Sequence, residues 1–242
     1  MFWNLVRYEF KNVNKWYLAL YGAVLALSAL IGVQASSLKS IDTPDQQMIM
    51  LVFLALVFGG LIITLSISTL ILIIRRFKGS VYDRQGYLTL TLPVSEHQII
   101  LSKLLGAFIW SLASSLVFIL SIYIILVLTG ANFLDIFSLE YLFKFYMDSF
   151  WLSVISFILS TVSSILCIYL AISIGQLFNE YRTALAVLAY IVIQTILGFV
   201  GLNLRIDDYN WMISFEIVKD LILSVAFYLG TYYILKNKVN IQ

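Results

Sequence analysis

Charge is what this chain has least of. Lys, Arg, Asp and Glu make up 12% of its 242 residues, about half the share of an ordinary soluble domain. With 62% of residues hydrophobic, a soluble fold would lack the polar surface to cover its core. The composition therefore places the chain in a membrane. Its single cysteine, Cys167, excludes an intramolecular disulfide and any multi-cysteine metal site. Its single histidine, His97, excludes the two-histidine H-E-x-x-H zinc motif. No G-x-x-x-x-G-K-[ST] phosphate loop occurs, so any ATP that drives this protein is bound by another polypeptide. A net charge of +2 is too small for a basic nucleic-acid face, and no nucleic-acid partner is expected. The N-terminus does not read as a signal peptide, because Arg7, Glu9, Lys11 and Lys15 interrupt it.

Charge-free runs are present instead. Six occur, at residues 16–33, 48–74, 104–129, 149–177, 183–204 and 221–235. A spanning helix needs about 20 apolar residues, so the second, third and fourth are expected to tilt or project into water. The sixth is short, and Ile217 and Val218 extend it if Lys219 and Asp220 sit at the interface. With the N-terminus inside, Arg7, Lys11, Lys15, Arg75, Arg76, Lys78, Arg84, Lys103, Arg182, Lys236 and Lys238 are cytoplasmic. Only Lys39, Lys144, Arg205 and Lys219 lie outside, a clear positive-inside bias. The expected fold is an all-α membrane protein in one domain over residues 1–242. An N-terminal interfacial amphipathic helix precedes six transmembrane helices, and both termini are cytoplasmic. Pro44 and Pro93 fall in expected loops, and residues 205–216 leave room only for a short re-entrant or surface helix.

Projected at 100° per residue, Phe2, Trp3, Leu5, Val6, Phe10, Val13 and Trp16 share one arc of roughly 160°. Arg7, Lys11, Asn14 and Lys15 fall opposite, the pattern of a helix (residues 1–15) lying on the bilayer surface. Glu9 projects into the apolar arc and needs a partner. Arg75, Arg76 or a partner protein are the candidates.

Residues 75–103 form the one charged island between two long apolar runs. Within it, Ser95-Glu96-His97-Gln98 fits an S-x-x-Q capping box, with Val94 and Ile99 at the hydrophobic-staple positions. The third helix is therefore expected to start near Glu96, in the cytoplasm, with Pro93 holding Leu92 extended. His97 reads as a helix-start residue. Leu88-Thr89-Leu90-Thr91-Leu92 alternates with period two, which alone suggests a strand. A lone five-residue strand finds no partner in a helical membrane protein. A solvated loop is the other plain reading, though Tyr87, Leu88, Leu90 and Leu92 are many apolar groups for such a loop to display.

The string GYLTLTLPVSEHQIILSK, residues 86–103, resembles the segment after the second transmembrane helix in ABC-2-type ABC transporter permeases. The YEFK stretch, residues 8–11, is similar to their interfacial helix. The resemblance implies a coupling helix or turn over residues 81–92 within a cytoplasmic coupling segment, 75–103. Asp83, Arg84, Gly86, Tyr87, Leu88, Leu90, Leu92 and Pro93 would contact an ABC ATPase subunit. It also implies two copies of that ATPase, which carry the ATP and Mg, and a second permease subunit, identical or related. The implied activity is export of a peptide, drug or lipid-like substrate from the bacterial plasma membrane. This chain itself would hold no cofactor or metal and catalyse nothing.

The six runs contain no Asp, Glu, Lys, Arg or His, which argues against proton-coupled transport. In the fourth, Ser153, Ser156, Ser160, Ser163 and Ser164 lie within about 100° of one another. Small residues so spaced either let helices approach closely or line a transport path. Gln194 and Thr195 are candidates for the same path. Gly59, Gly60, Gly198 and Gly201 read as close-packing points or hinges. Cys167, in a charge-free run, reads as packing. A non-transporting membrane sensor or scaffold that recruits a cytoplasmic partner through the island is the alternative function. An intramembrane enzyme lacks catalytic groups.

Overall fold

The computed structural model describes residues 3, 6–7, 15–37, 44–82, 95–130, 139–178, 180–203 and 209–237. Among them every regular element is helical: α1 (Lys15–Ser37), α2 (Pro44–Val81), α3 (Glu96–Leu128), α4 (Leu139–Gly175), α5 (Arg182–Asn203) and α6 (Tyr209–Asn237). Trp3, Val6 and Arg7 are also helical, with Val6 buried and Arg7 exposed.

Five helices are long and apolar enough to cross a membrane, over Tyr17–Ser36, Val52–Gly79, Glu96–Leu128, Phe150–Gly175 and Arg182–Val200. Their outward faces are apolar, and Leu56 and Phe199 are each 70% exposed. Water would penalise such faces, whereas hydrocarbon tolerates them because each helix satisfies its own backbone groups. The chain is an α-helical, multi-pass membrane protein. At 38 residues, α2 is about 57 Å long, well beyond the ~30 Å hydrocarbon core. A helix of that length tilts or projects past the membrane, and this one carries Arg75, Arg76 and Lys78 on its last turns.

Helix starts follow local chemistry. Gln98 N–H donates to Ser95 Oγ at 3.4 Å and to the Ser95 carbonyl at 2.9 Å, so α3 begins at Glu96 where the capping box put it. It ends at Leu128, and Gly130 follows at φ +60°, the left-handed position that favours glycine after a helix.

Three expectations need correction. Pro44 is the first residue of α2 and not a loop residue, because its fixed φ and missing N–H suit the first helical turn. Residues 209–216 are the start of α6, continuous to Asn237, and not a separate re-entrant element. Gly59, Gly60 and Gly198, expected as close-packing points or hinges, are not close-packing points within this chain: a Cβ at each would meet nothing within 4 Å. The close approaches occur at glycines facing another helix. A Cβ on Gly32 would come 2.7 Å from Leu128 Cβ, and one on Gly230 would come 2.9 Å from Leu170.

Contacts divide the chain into two compact units. One comprises residues 12–71 and 109–148. Its helices are joined by hydroxyls: Tyr17 lies 2.6 Å from Thr69 Oγ1, and Ser114 Oγ lies 2.8 Å from Tyr21 and 2.9 Å from Thr69. Tyr17 and Ser114 close the cycle at 3.0 Å. Where no water competes, such bonds hold helices together.

The other unit comprises residues 1–11, 72–108 and 149–242. Its core gathers Ile73, Phe77 and Val81 from α2, Ile99 and Ile100 from α3, residues 165–169 and Ile172 from α4, and Phe227 and Leu235 from α6. Tyr190, Ile193 and Leu197 of α5 pack against it, half-buried. Cys167 is in this core, 1% exposed, as its charge-free surroundings suggested.

Candidate functional site

Polar contacts gather where α2, α4 and α5 leave the apolar spans. Phe77 stacks on Tyr169 with ring centroids 3.9 Å apart, and Tyr82 meets the edge of Phe77 at 6.0 Å. One turn beyond the span, Tyr82 donates its hydroxyl to Ser173 Oγ at 2.8 Å, and Ser173 donates to the Tyr169 carbonyl at 2.8 Å. Burial pushes the Tyr82 phenol up to about 12, partly opposed by the Ser173 bond, so Tyr82 remains a donor at neutral pH. The end of α2, from which residues 83–92 depart, is thus clamped on α4.

On the other side of this clamp is a cleft of about 490 Å³, lined by Lys78, Tyr82, Gln176, Tyr181, Arg182 and Thr183 among others. Lys78 Nζ donates to Thr183 Oγ1 at 3.1 Å, and Arg182 Nε donates to the Phe178 carbonyl at 3.1 Å. The packing behind it is tight, since a Cβ on Gly175 would fall 2.5 Å from the Arg182 carbonyl oxygen.

His97 does more than start α3. Its Nδ1 lies 2.5 Å from the Tyr228 hydroxyl, and its ring stacks on Tyr232 at 4.1 Å, both residues of α6. Lys236 Nζ sits 5.6 Å from the Tyr232 ring centroid, a cation–π contact on the same cluster. This capped helix start is thereby tied to the end of α6. Sequence spacing gave no sign of the pairing, because the partners are 131 residues apart.

The serine stripe divides. Ser163 is buried, Ser153 and Ser156 are half-buried, and Ser160 and Ser164 are exposed. Ser160 lies beside the carboxyl of Asp220 on α6. Gln194 meets the same helix at Cys167 Sγ, 3.7 Å away. Both α5 and α6 therefore touch α4 along the stripe, which makes it a packing contact at these two points.

Asp220, expected at the membrane interface, is buried within the chain at 6% exposure and lies beside Ser160 of α4. Lys219 Nζ lies 2.8 Å from Glu216 and 4.0 Å from Asp220, so one cation serves two carboxylates. A buried carboxylate with a cation beside it costs less than an isolated one.

Asp83, Arg84, Gly86, Tyr87, Leu88, Leu90, Leu92, Pro93 and Glu9 lie outside the described residues. Among the described residues no group of three His, Cys, Asp or Glu is placed to hold a metal ion. Comparison with protein-family models, with curated proteins and with solved structures finds no match to this chain.

Proposed function

We propose that this chain is the transmembrane permease subunit of an ATP-driven exporter of the ABC-2 type. It pairs with an identical or related permease and is driven by two copies of a separate ATPase. The observation that carries the reading is the island between α2 and α3. α2 runs out of the apolar span to Val81 and is clamped to α4 by Phe77 and Tyr82. α3 restarts at Glu96 behind a formed Ser95 cap. The intervening segment carries the YLTLTLPVS string that resembles the ATPase-docking segment of those permeases. A push on that segment reaches two rigid helix ends, each packed into the same core. That geometry suits transmission of force from a soluble motor. Export from the bacterial plasma membrane of a peptide, drug or lipid-like molecule follows from the resemblance.

Asp220 does not redirect this reading towards proton coupling. Its carboxyl is buried at the contact of α4 and α6 with Lys219 4.0 Å away, and the acidic group beside it among the described residues is Glu216.

The test is purification from the native host in mild detergent, with mass spectrometry of co-purifying proteins and an ATP hydrolysis assay. The expected result is a stoichiometric soluble subunit with a Walker motif, whose association is lost in Tyr87→Ala/Leu88→Ala. A chain that purifies without an ATPase overturns the proposal. A partner without ATPase activity favours the sensor or scaffold alternative.

A further inference from the structure

The cleft beside Lys78 has a chemistry the transport reading does not use. Two of its lining residues are cations, and among the described residues none that lines it is acidic. Neither Lys78 nor Arg182 pairs with a carboxylate among the described residues, and Glu180, the nearest in sequence to Arg182, does not line the cleft. Two unpaired cations facing one concavity repel each other, and an anion between them relieves that cost. Their existing bonds leave donors to spare. Lys78 uses one ammonium hydrogen on Thr183, and Arg182 uses only its Nε, so the terminal guanidinium nitrogens stay available. A planar guanidinium and a nearby ammonium match the oxygens of a phosphate. Tyr82 contributes shape alone, because its hydroxyl is engaged by Ser173.

The position of the cleft says which phosphate. Lys78 is next to the last residue of one apolar span, Gln176 follows the last of another, and Arg182 is the first of a third. The cleft thus opens at headgroup depth. The turn that joins α4 to α5 exposes Leu177, Phe178 and Tyr181, of which Tyr181 is 79% exposed. Tyr181 also holds a left-handed backbone, φ 55°, uncommon for a non-glycine residue. Its carbonyl accepts from Leu185 N–H at 2.9 Å, which fixes the turn that aims the ring outward. Apolar and aromatic groups beside a basic cleft suit a ligand with one charged end and one greasy end. By the Lys/Arg bias, this end of the helices faces the cytoplasm, where anionic lipid is concentrated.

We propose that this cleft binds the phosphate of an anionic phospholipid, seated between Lys78 and Arg182, with acyl chains along Leu177, Phe178 and Tyr181. The inference stands independently of any ATPase partner. The lipid steadies the turn between α4 and α5 and, through Lys78, the end of α2.

Native mass spectrometry of the full chain in neutral detergent, titrated with phosphatidylglycerol or phosphatidylcholine, tests it. The expected result is one tightly bound phosphatidylglycerol, with affinity lowered about tenfold or more in Lys78→Gln/Arg182→Gln. Phosphatidylcholine should bind weakly to both forms. Lys236→Gln, which removes a cation outside the cleft, should leave binding unchanged, and Lys78→Arg should retain it. Wild-type protein without preference for phosphatidylglycerol overturns the proposal whatever the variants do. So does equal loss of affinity in Lys236→Gln, the mark of diffuse surface charge. Displacement of the lipid by millimolar inorganic phosphate would make this a free-phosphate site and remove the acyl-chain part of the proposal. Occupation by an acidic segment of a co-purified protein, with no lipid retained, overturns it as well.

Discussion

Phe77 lies flat on Tyr169, ring centroids 3.9 Å apart and planes within 9° of parallel. Both rings are fully buried, and the pair joins the end of α2 to the middle of the C-terminal half of α4. Phe77→Ala removes the stack and leaves a cavity in the core, at a cost of about 3 kcal/mol. Leu56→Ala, on an apolar face that is 70% exposed, should cost less than about 0.5 kcal/mol. Thermal unfolding in mild detergent separates the two, and equal losses would mean that the stack contributes nothing of its own.

The clamp continues through Tyr82, and here pH reports on it. The phenol lies above its ordinary value of 10.0, at about 12, mainly through burial. The folded state therefore prefers the protonated form. The associated stability is present in full below pH 10 and is lost as pH rises towards about 12. Tyr82→Phe should cost about 1 kcal/mol at neutral pH and show a shallower stability loss between pH 10 and 12. Parallel alkaline profiles for the two proteins would place the titrating group elsewhere.

How much of this was readable in advance depends on the distance over which the signal acts. The start of α3 was legible because Ser95 and Gln98 are three residues apart and form their cap locally. The unusual length of α2 was legible because a long apolar run needs no partner to reveal it. The burial of Asp220 was not. A sliding view of α6 sees Glu216, Lys219 and Asp220 as a charged break, and only the helix packed beside them hides the Asp220 side chain. The cleft and the His97 cluster are equally invisible, since each depends on the rotation of helices whose residues are 100 or more apart, as with Lys78 and Thr183 at a separation of 105. The glycines show the same limit. Sequence marks where a helix has no Cβ, but not whether another helix passes there, so Gly59 faces open space and Gly32 faces Leu128.

The hydroxyl cycle of Tyr17, Thr69, Ser114 and Tyr21 should behave as one unit and not as four bonds. Ser114 is shared by three partners, so Ser114→Ala unties most of the cycle. A double-mutant cycle between Tyr17→Phe and Ser114→Ala should give a coupling of about 0.6 to 1.7 kcal/mol, the range seen for hydrogen bonds between membrane helices. Strict additivity would show that the 3.0 Å contact between them carries no stability.

Asp220 gives the prediction that bears most directly on mechanism. A buried carboxylate in a membrane protein marks either a proton relay or a structural anchor, and the two differ in what substitution does. As an anchor, Asp220 needs only a polar side chain of its own shape beside Ser160. Asp220→Asn keeps that shape and should retain folding and, with the proposed ATPase partner, ATP hydrolysis within about twofold. Ser160→Ala removes a hydroxyl beside the buried carboxyl and should cost about 1 kcal/mol. In vesicles reconstituted with the proposed partner, ATP hydrolysis should be insensitive to an imposed pH gradient, in wild type and in Asp220→Asn alike. A relay would reverse the order: Ser160→Ala would be tolerated, while Asp220→Asn would abolish any response to the gradient and stall turnover. The anchor reading is favoured because Asp220 is buried against α4 with Lys219 4.0 Å away, a fixed neighbourhood of the kind that holds two helices together.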